Sequence, residues 1–417
     1  MTPTTRSAAL CGLAAASALL LPVWLAVGAV LAVLAATAVD GWIVREPPRL
    51  RRQVASVLSR GVQSALVVQA QAPDGRRVAL RQPLSTGLSF QAAAGSPGRE
   101  LRGELVARRR GRHTLPGVAS ASLGPLGLAR WHHRAGEAGE ILVYPDLLTA
   151  RRLVLALRAG RAAPDGRLRR GPLGLGTDFE SIRDYSPDDD VRQVNWLATA
   201  RLGRPMSNQY RVEQDRDVLC LVDAGRLTAA PVGRGTLLDA SLDATAAIGL
   251  VADELGDRCG AIAFHAEVTR TLPPQRLGGR RVVQGLFDLQ SELLDSDFER
   301  AFLRVGRARR GLVFVFTDLI DEAAARSLLA ATPMLARRHA VIVASVSDPA
   351  LQASAATAPQ RPEGVYELVA AVSVLQARAD AVRRIRRAGT EVVQAPAGQL
   401  PERCVQAYLR AKARARL

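Results

Sequence analysis

Of 56 lysine and arginine residues, one is a lysine, Lys412, so the net charge of +17 over 417 residues rests on arginine. Aromatic residues are scarce, at 4%. The densest basic clusters are Arg108–Arg110 with Arg112, Arg167–Arg170 and Arg383–Arg387. No zinc-finger spacing and no aromatic-rich stacking strand accompanies them, which argues against a specific nucleic-acid reader. A solvated face, or one turned to anionic lipid, is the expected use of the charge. The four cysteines, Cys11, Cys220, Cys259 and Cys404, form no CxxC pair. That excludes a disulfide framework and fits a reducing compartment. Five histidines are present, and the adjacent His132 and His133 have no further ligands at zinc-site spacing. The chain also lacks GxxxxGK[ST], and it lacks a GxGxxG opening a helix after a strand. Neither a P-loop ATPase nor a dinucleotide enzyme is expected.

A further absence is of charge between Ala8 and Val39. As a helix this run would be roughly 48 Å long, against about 30 Å of bilayer hydrocarbon. Two short spans turning near Leu21-Pro22 would use it as a hairpin, and one tilted span is the alternative. Arg6 before the run and Arg45, Arg49, Arg51 and Arg52 after it place both ends on the cytoplasmic side. A cleaved signal peptide would have a shorter apolar region.

Residues 54–145 carry short alternating segments, "SALVVQAQA", "RRVALRQ", "RELRGELVARR" and "EILVYP", separated by turn signals such as "APDG" and "GSPG". They predict a small β-sandwich. From Asp217 onward strands and helices alternate. "VLCLVD", "GAIAFH", "EVTRTL", "GLVFVFTD", "AVIVASV" and "TEVVQA" read as strands. Helices are expected over 237–255, 280–294, 321–338 and 370–388, and at the C-terminus. Continuous apolar strands predict a parallel sheet covered on both faces, with ligands at the strands' carboxyl ends. Asp223 and Asp318 hold such positions. The domain organisation expected is a membrane hairpin over 1–45, a sandwich over 46–150, a connector over 151–215 and an α/β domain over 216–417.

The connector holds "GLGTDFESIRDYSPDDDVRQVNWLATAR", in which Arg183, Tyr185, Pro187, Asp189, Asp190, Arg192 and Trp196 stand in a characteristic spacing. Read from the residues, Ser186 can cap a helix, with Pro187 at its first position and Asp189 completing a capping box. Val191, Val194 and Leu197 would share one face, and Arg183, Arg192 and Arg201 could pair with the carboxylates. No nucleophile with a base stands nearby, so a docking or structural role is favoured over acid–base catalysis.

With the apolar N-terminus, the strand-rich region and the later α/β pattern, this motif resembles the bacterial domain of unknown function 58 family. The resemblance implies a membrane anchor, an immunoglobulin-like sandwich and a von Willebrand factor A-like domain. It also implies association with a MoxR-type AAA+ ATPase at the inner membrane, with the soluble domains cytoplasmic. Asp188 stands where that family usually has glycine, and Asn195 where aspartate is frequent. "GPLGLARW" matches its sandwich-end motif except that Gly124 replaces an aspartate. In von Willebrand A-like domains a DxSxS loop, a later threonine and a later aspartate hold a divalent ion. Here Asp223 and Asp318 match the aspartates, and Ser296 or Thr317 could give a hydroxyl. Gly225 and Leu227 replace the two serines. The expectation is a scaffold without its metal, in which Arg226 neutralises Asp223 and Asp318.

The function expected is that of a membrane-anchored, non-enzymatic interaction protein that needs no cofactor. Its partners would be membrane lipid and a MoxR-type ATPase or the ATPase's client. An enzyme or enzyme subunit acting at the envelope is the alternative.

Overall fold

Residues 1–143 and 144–417 form two units. The computed structural model describes all residues except 72–76, 94–98, 135, 160–172, 187–193, 212–215, 306–308, 320–321, 360 and 414–417.

The first unit opens with β1 (Thr2–Pro3), α1 (Thr5–Ala16) and α2 (Val23–Ile43). Proline cannot continue a helix, and Pro22 stands as the N-cap of α2. The two helices pack on one another. Among the described residues, α2 alone is long and apolar enough to cross a membrane, with mean hydropathy 2.1 over an 18-residue window of its 21 residues. Helix α1, with 12 residues, would reach only about 18 Å. Leu13, Trp24 and Leu31 on this pair, and Leu20 between the two helices, are all largely exposed.

Nine strands follow: β2 (Arg49–Val54), β3 (Val57–Ser59), β4 (Gln63–Gln71), β5 (Arg77–Arg81), β6 (Leu88–Ala92), β7 (Glu100–Ala107), β8 (Gly111–Leu115), β9 (Ala119–Leu123) and β10 (Ala129–Arg134). A tenth, β11 (Gly139–Tyr144), runs to the boundary between the units. They make three sheets, ordered β2-β4-β7-β6, β3-β11-β8 and β1-β10-β9-β5. Period-two alternation turns Leu66 and Val68 of β4 inward, where they meet Leu105, Leu115, Ile141 and Val143.

Both outer ends of the helical pair meet one turn, Gly124–Ala129. At the start of α1, Thr4 donates from N to Leu128 O at 2.9 Å and from Oγ1 to Gly127 O at 2.7 Å. At the end of α2, the fully buried Asp40 accepts from the backbone N–H groups of Leu126 (2.8 Å), Leu128 (2.8 Å) and Ala129 (3.0 Å). Gly124 makes room for it, since a Cβ there would lie 2.2 Å from the Asp40 carboxyl carbon.

The second unit begins with α3 (Leu147–Arg158), whose Ala150 joins the α/β core. An antiparallel pair, β12 (Leu173–Asp184) and β13 (Met206–Arg211), brackets α4 (Trp196–Leu202). Next come β14 (Asp217–Asp223), β15 (Pro231–Val232), β16 (Gly235–Thr236), α5 (Leu237–Leu255), β17 (Arg258–Phe264), β18 (Val268–Arg276), α6 (Gly278–Leu286) and α7 (Phe298–Val305). The rest is β19 (Gly311–Phe316), α8 (Glu322–Ala336), β20 (Ala340–Ser347), α9 (Pro349–Ala356), α10 (Pro362–Arg387), β21 (Glu391–Pro396) and α11 (Leu400–Ala413). The main sheet runs β18-β17-β14-β19-β20-β21, parallel except for the edge strand β18. Separate apolar clusters cover its two faces. This is a doubly wound order of the 3-2-1-4-5-6 kind, and its direction reverses between β14 and β19.

Two helix expectations change. The helix expected over 280–294 ends at Leu286. The backbone beyond is committed elsewhere: Glu292 N donates to Ala224 O (2.8 Å), and Leu294 O accepts from Arg226 N (2.9 Å). The helix expected after Ser186 falls largely on residues outside the described set. Val194, expected on its face, forms a bridge with Ser207 instead. The described helix α4 starts at Trp196, because the Asn195 side chain caps it by accepting from Ala198 N (2.9 Å).

Candidate functional site

The strand order reverses between the carboxyl ends of β14 and β19, the point at which sheets of this kind have their ligand-binding crevice. Asp223 ends β14, and Thr317 and Asp318 follow β19. The loop from Asp288 to Asp297 lies against the same spot, held by the two backbone bonds to residues 224–226 and by Asp297 N donating to His265 O (2.9 Å).

Asp223 is buried and fully hydrogen-bonded. Oδ1 accepts from Gly225 N (2.8 Å) and from Ser296 Oγ (2.5 Å), and Oδ2 accepts from Thr317 Oγ1 (2.6 Å). Burial pushes its pKa up, and the three hydrogen bonds, then the charge at His265, pull it back. The two hydroxyls that the sequence offers as alternatives, Ser296 and Thr317, both donate to Asp223. Ser296 does more than supply an oxygen. A Cβ on Gly225 would stand 2.1 Å from Ser296 Oγ and 2.8 Å from Leu294 O. Ser296 Oγ, arriving from a loop distant in sequence, thus occupies the space that a side chain at 225 would need. Leu227 is half-buried in a short 3-10 turn over Arg226–Ala229 and offers no oxygen.

Asp318 solves its burial differently. Oδ1 accepts from Leu319 N (2.7 Å) and from Arg378 Nη2 (2.9 Å). Both side chains of this ion pair are almost fully buried. Asp318 Oδ2 and Arg378 Nε remain buried without a hydrogen-bond partner. Burial raises the Asp318 pKa, the Arg378 charge is the chief counterweight, and Asp223 adds a smaller upward push.

Arg226 was expected to neutralise both carboxylates. The structure assigns the cation at Asp318 to Arg378 and pairs Arg226 with Asp295, whose side chain is 81% exposed. The Arg226 side chain is 46% exposed, whereas the Asp318–Arg378 pair is almost fully buried. Sequence reasoning missed Arg378, although a signal existed. Ala371, Arg378, Ala381, Val382 and Ile385 are the buried residues of α10, so an arginine sits on the helix's apolar stripe.

An octahedral divalent ion does not fit these residues. Position 225 has no side chain and no room for one, Leu227 gives no donor, and a guanidinium lies on Asp318.

The acidic-motif residues are not drawn into this crevice by any described contact. Arg183 is exposed on β12, and its Nη1 donates to Asp184 O (3.0 Å). Tyr185 N donates to Pro205 O (3.0 Å). Trp196 is 70% exposed at the start of α4. Pro187, Asp189, Asp190 and Arg192 lie outside the described residues.

The chain is similar to the "Uncharacterized protein Rv1480" of Mycobacterium tuberculosis (strain ATCC 25618 / H37Rv), at 30% identity over 201 residues, 44% of this chain and 61% of the relative. The "Uncharacterized protein Mb1516" of Mycobacterium bovis (strain ATCC BAA-935 / AF2122/97) matches with the same figures. The chain thus spans about three-fifths of the length of the curated relatives it matches. Among solved structures, a cohesin module from a Clostridium perfringens ATCC13124 family 33 glycoside hydrolase aligns with 23% of this chain and 96% of its own. Its 10% identity and TM-score of 0.16 are too slight to carry a structural argument. The family match is more specific: residues 181–387, from the acidic motif through most of the α/β domain, match the family described as "Protein of unknown function DUF58".

Proposed function

We propose that the protein is a membrane-anchored, non-enzymatic interaction component. Its von Willebrand A-like domain offers the carboxyl end of the sheet to a MoxR-type AAA+ ATPase or to that ATPase's client. The carrying observation is the loop beside Asp223. Leu293 and Leu294 stand 86% and 44% exposed on a segment that Ser296 fastens to the buried carboxylate. Apolar side chains held out on a fixed loop are suited to a protein partner, as interface anchors are. The strand order and its antiparallel third strand support the von Willebrand A-like reading.

The anchor in this reading is a helical hairpin in the inner membrane. Both of its outer ends meet the Gly124–Ala129 turn, which suits two ends on one side. Trp42, with the Arg45 guanidinium 4.0 Å over its ring, suits the interface at the cytoplasmic end. A photo-crosslinking residue at position 293 of the membrane-embedded chain, in living cells, tests the docking face. The proposal expects an adduct with an AAA+ ATPase or a defined client, absent when the crosslinker is moved to the exposed Leu126 of the first unit. Equal adducts at both positions, or none at 293, would overturn it.

A further inference from the structure

The opposite end of the α/β sheet holds a second feature, independent of the reading above. Where β19, β20 and β21 begin, a cavity of about 260 Å³ opens between them. His339 and Thr390 line it and are 6% and 4% exposed. His339 Nε2 and Thr390 Oγ1 are buried there without a hydrogen-bond partner. Arg310, Arg337 and Arg338 line the same cavity and are exposed. Its acidic residue, Glu391, is already paired with Arg410 at 2.9 Å.

A simpler account exists for the arginines alone. Helices α8 and α10 end here, and cations favour helix carboxyl ends. That account leaves two facts over. Each helix end carries about half a negative charge, which the guanidinium groups of Arg310 and Arg337 alone outweigh. It also gives no role to a buried imidazole nitrogen and a buried hydroxyl that face no partner, which native proteins seldom leave so. Burial, and next the Arg338 charge, push the His339 imidazole towards its neutral form. A neutral ring can still present Nε2–H.

We infer that this cavity is a binding site for a phosphate-type oxyanion, either free phosphate or the phosphate of a small ester or lipid headgroup. Such a group offers oxygens to Thr390 Oγ1–H, to His339 Nε2–H and to the arginine forks at once, and guanidinium–phosphate pairs are strong and directional. The volume limits the ligand. It lies below the roughly 300–1,000 Å³ of pockets for drug-sized molecules, so a nucleotide would not be enclosed.

The test uses the full chain in a nonionic, phosphate-free detergent. Its melting temperature is followed against inorganic phosphate, with ionic strength held constant by chloride. A second series uses dihexanoylphosphatidic acid below its micelle concentration. The expected result is a saturable rise in wild type with at least one probe. The apparent affinity should fall at least tenfold in Thr390→Val and in Arg337→Gln. Arg337 is exposed, so its variant should fold whatever Thr390→Val does. A response to inorganic phosphate assigns a free oxyanion, and a response to the lipid alone assigns a headgroup. No saturable rise with either probe, or an undiminished rise in Arg337→Gln, would overturn the inference.

Discussion

Asp40 and Asp318 are both buried aspartates, one in each unit, and their burial is compensated in opposite ways. Asp40 takes three backbone N–H groups from a turn that would otherwise leave them unpaired. Asp318 takes a guanidinium from a helix 60 residues further along, and one of its oxygens stays bare. The first arrangement is complete and local to one turn, so it acts as a clasp. The second is a buried ion pair with a missing bond on each side. Such pairs add little net stability but are costly to break. A site of that kind holds a definite geometry at the crevice without much surplus stability.

The largest effect that would separate the two carboxylates comes from Arg378. Arg378→Met should destabilise the α/β domain by about 3–5 kcal/mol, the range for removing one partner of a buried pair. Adding Asp318→Asn to that variant should recover much of the loss, because no unpaired charge then remains. Chemical denaturation of the four members of this cycle checks it. Equal stability of Arg378→Met and wild type would mean that Asp318 does not depend on the arginine.

Asp40→Ala should cost about 1.5–3 kcal/mol, the scale of hydrogen bonds to a charged group. The loss should appear as protease sensitivity at the Gly124–Ala129 turn. Gly124→Ala should weaken the same turn, since its Cβ would meet the Asp40 carboxylate. An undiminished turn in both variants would show that the clasp does not hold α2.

Gly225→Ser should destabilise by about 1–3 kcal/mol, as overpacking does, because Ser296 Oγ occupies the space. Combining it with Ser296→Gly should restore stability, the hydroxyl then coming from position 225. Absence of that rescue, measured by thermal melting, would remove Ser296 from the role assigned to it.

A smaller effect is pH dependence. The folded-state pKa of Asp223 is raised, chiefly by burial. Between the ordinary carboxylate range and that raised value the folded protein binds more protons than the unfolded one. Stability from this group is therefore greatest below the ordinary range and is lost as pH rises through the folded value. Asp223→Asn should flatten the fall in stability over that window, as urea midpoints at a series of pH values would show. An unchanged slope would mean that Asp223 is not the titrating group.

What could be read in advance follows physical rules. Helix α5 was legible over Leu237–Leu255 because Thr236 and Asp239 form a capping box at its start and Gly256 ends it in the left-handed conformation. Strand β19 was legible because "GLVFVF" is apolar throughout and buried on both faces. Asp223 and Asp318 could be named because one ends such a strand and the other stands just beyond one. Arg378 escaped, and Ser296 could be named only as one of two possible hydroxyls, because their roles depend on tertiary approach across 60 and 73 residues. Spacing along the chain does not encode that approach. The overrun of α6 has the same cause, since residues 292 and 294 give their backbone groups to 224–226 instead of to a helix. The Asp40 clasp was hidden for a related reason. Gly124 looked like a loss in the sandwich-end motif, whereas the carboxylate beside it comes from the apolar helix.

Arg378 pairs with Asp318, and the Ser296 and Thr317 hydroxyls bond Asp223, so neither carboxylate depends on a divalent ion. The most direct measurement is the melting temperature of the purified full chain in chelator, in magnesium and in manganese at one ionic strength. An ion bound at 100 times its dissociation constant would stabilise the fold by about 2.7 kcal/mol, which shifts a melt by degrees. The account predicts coincident curves in all three conditions, and a melt several degrees higher in magnesium or manganese would contradict it.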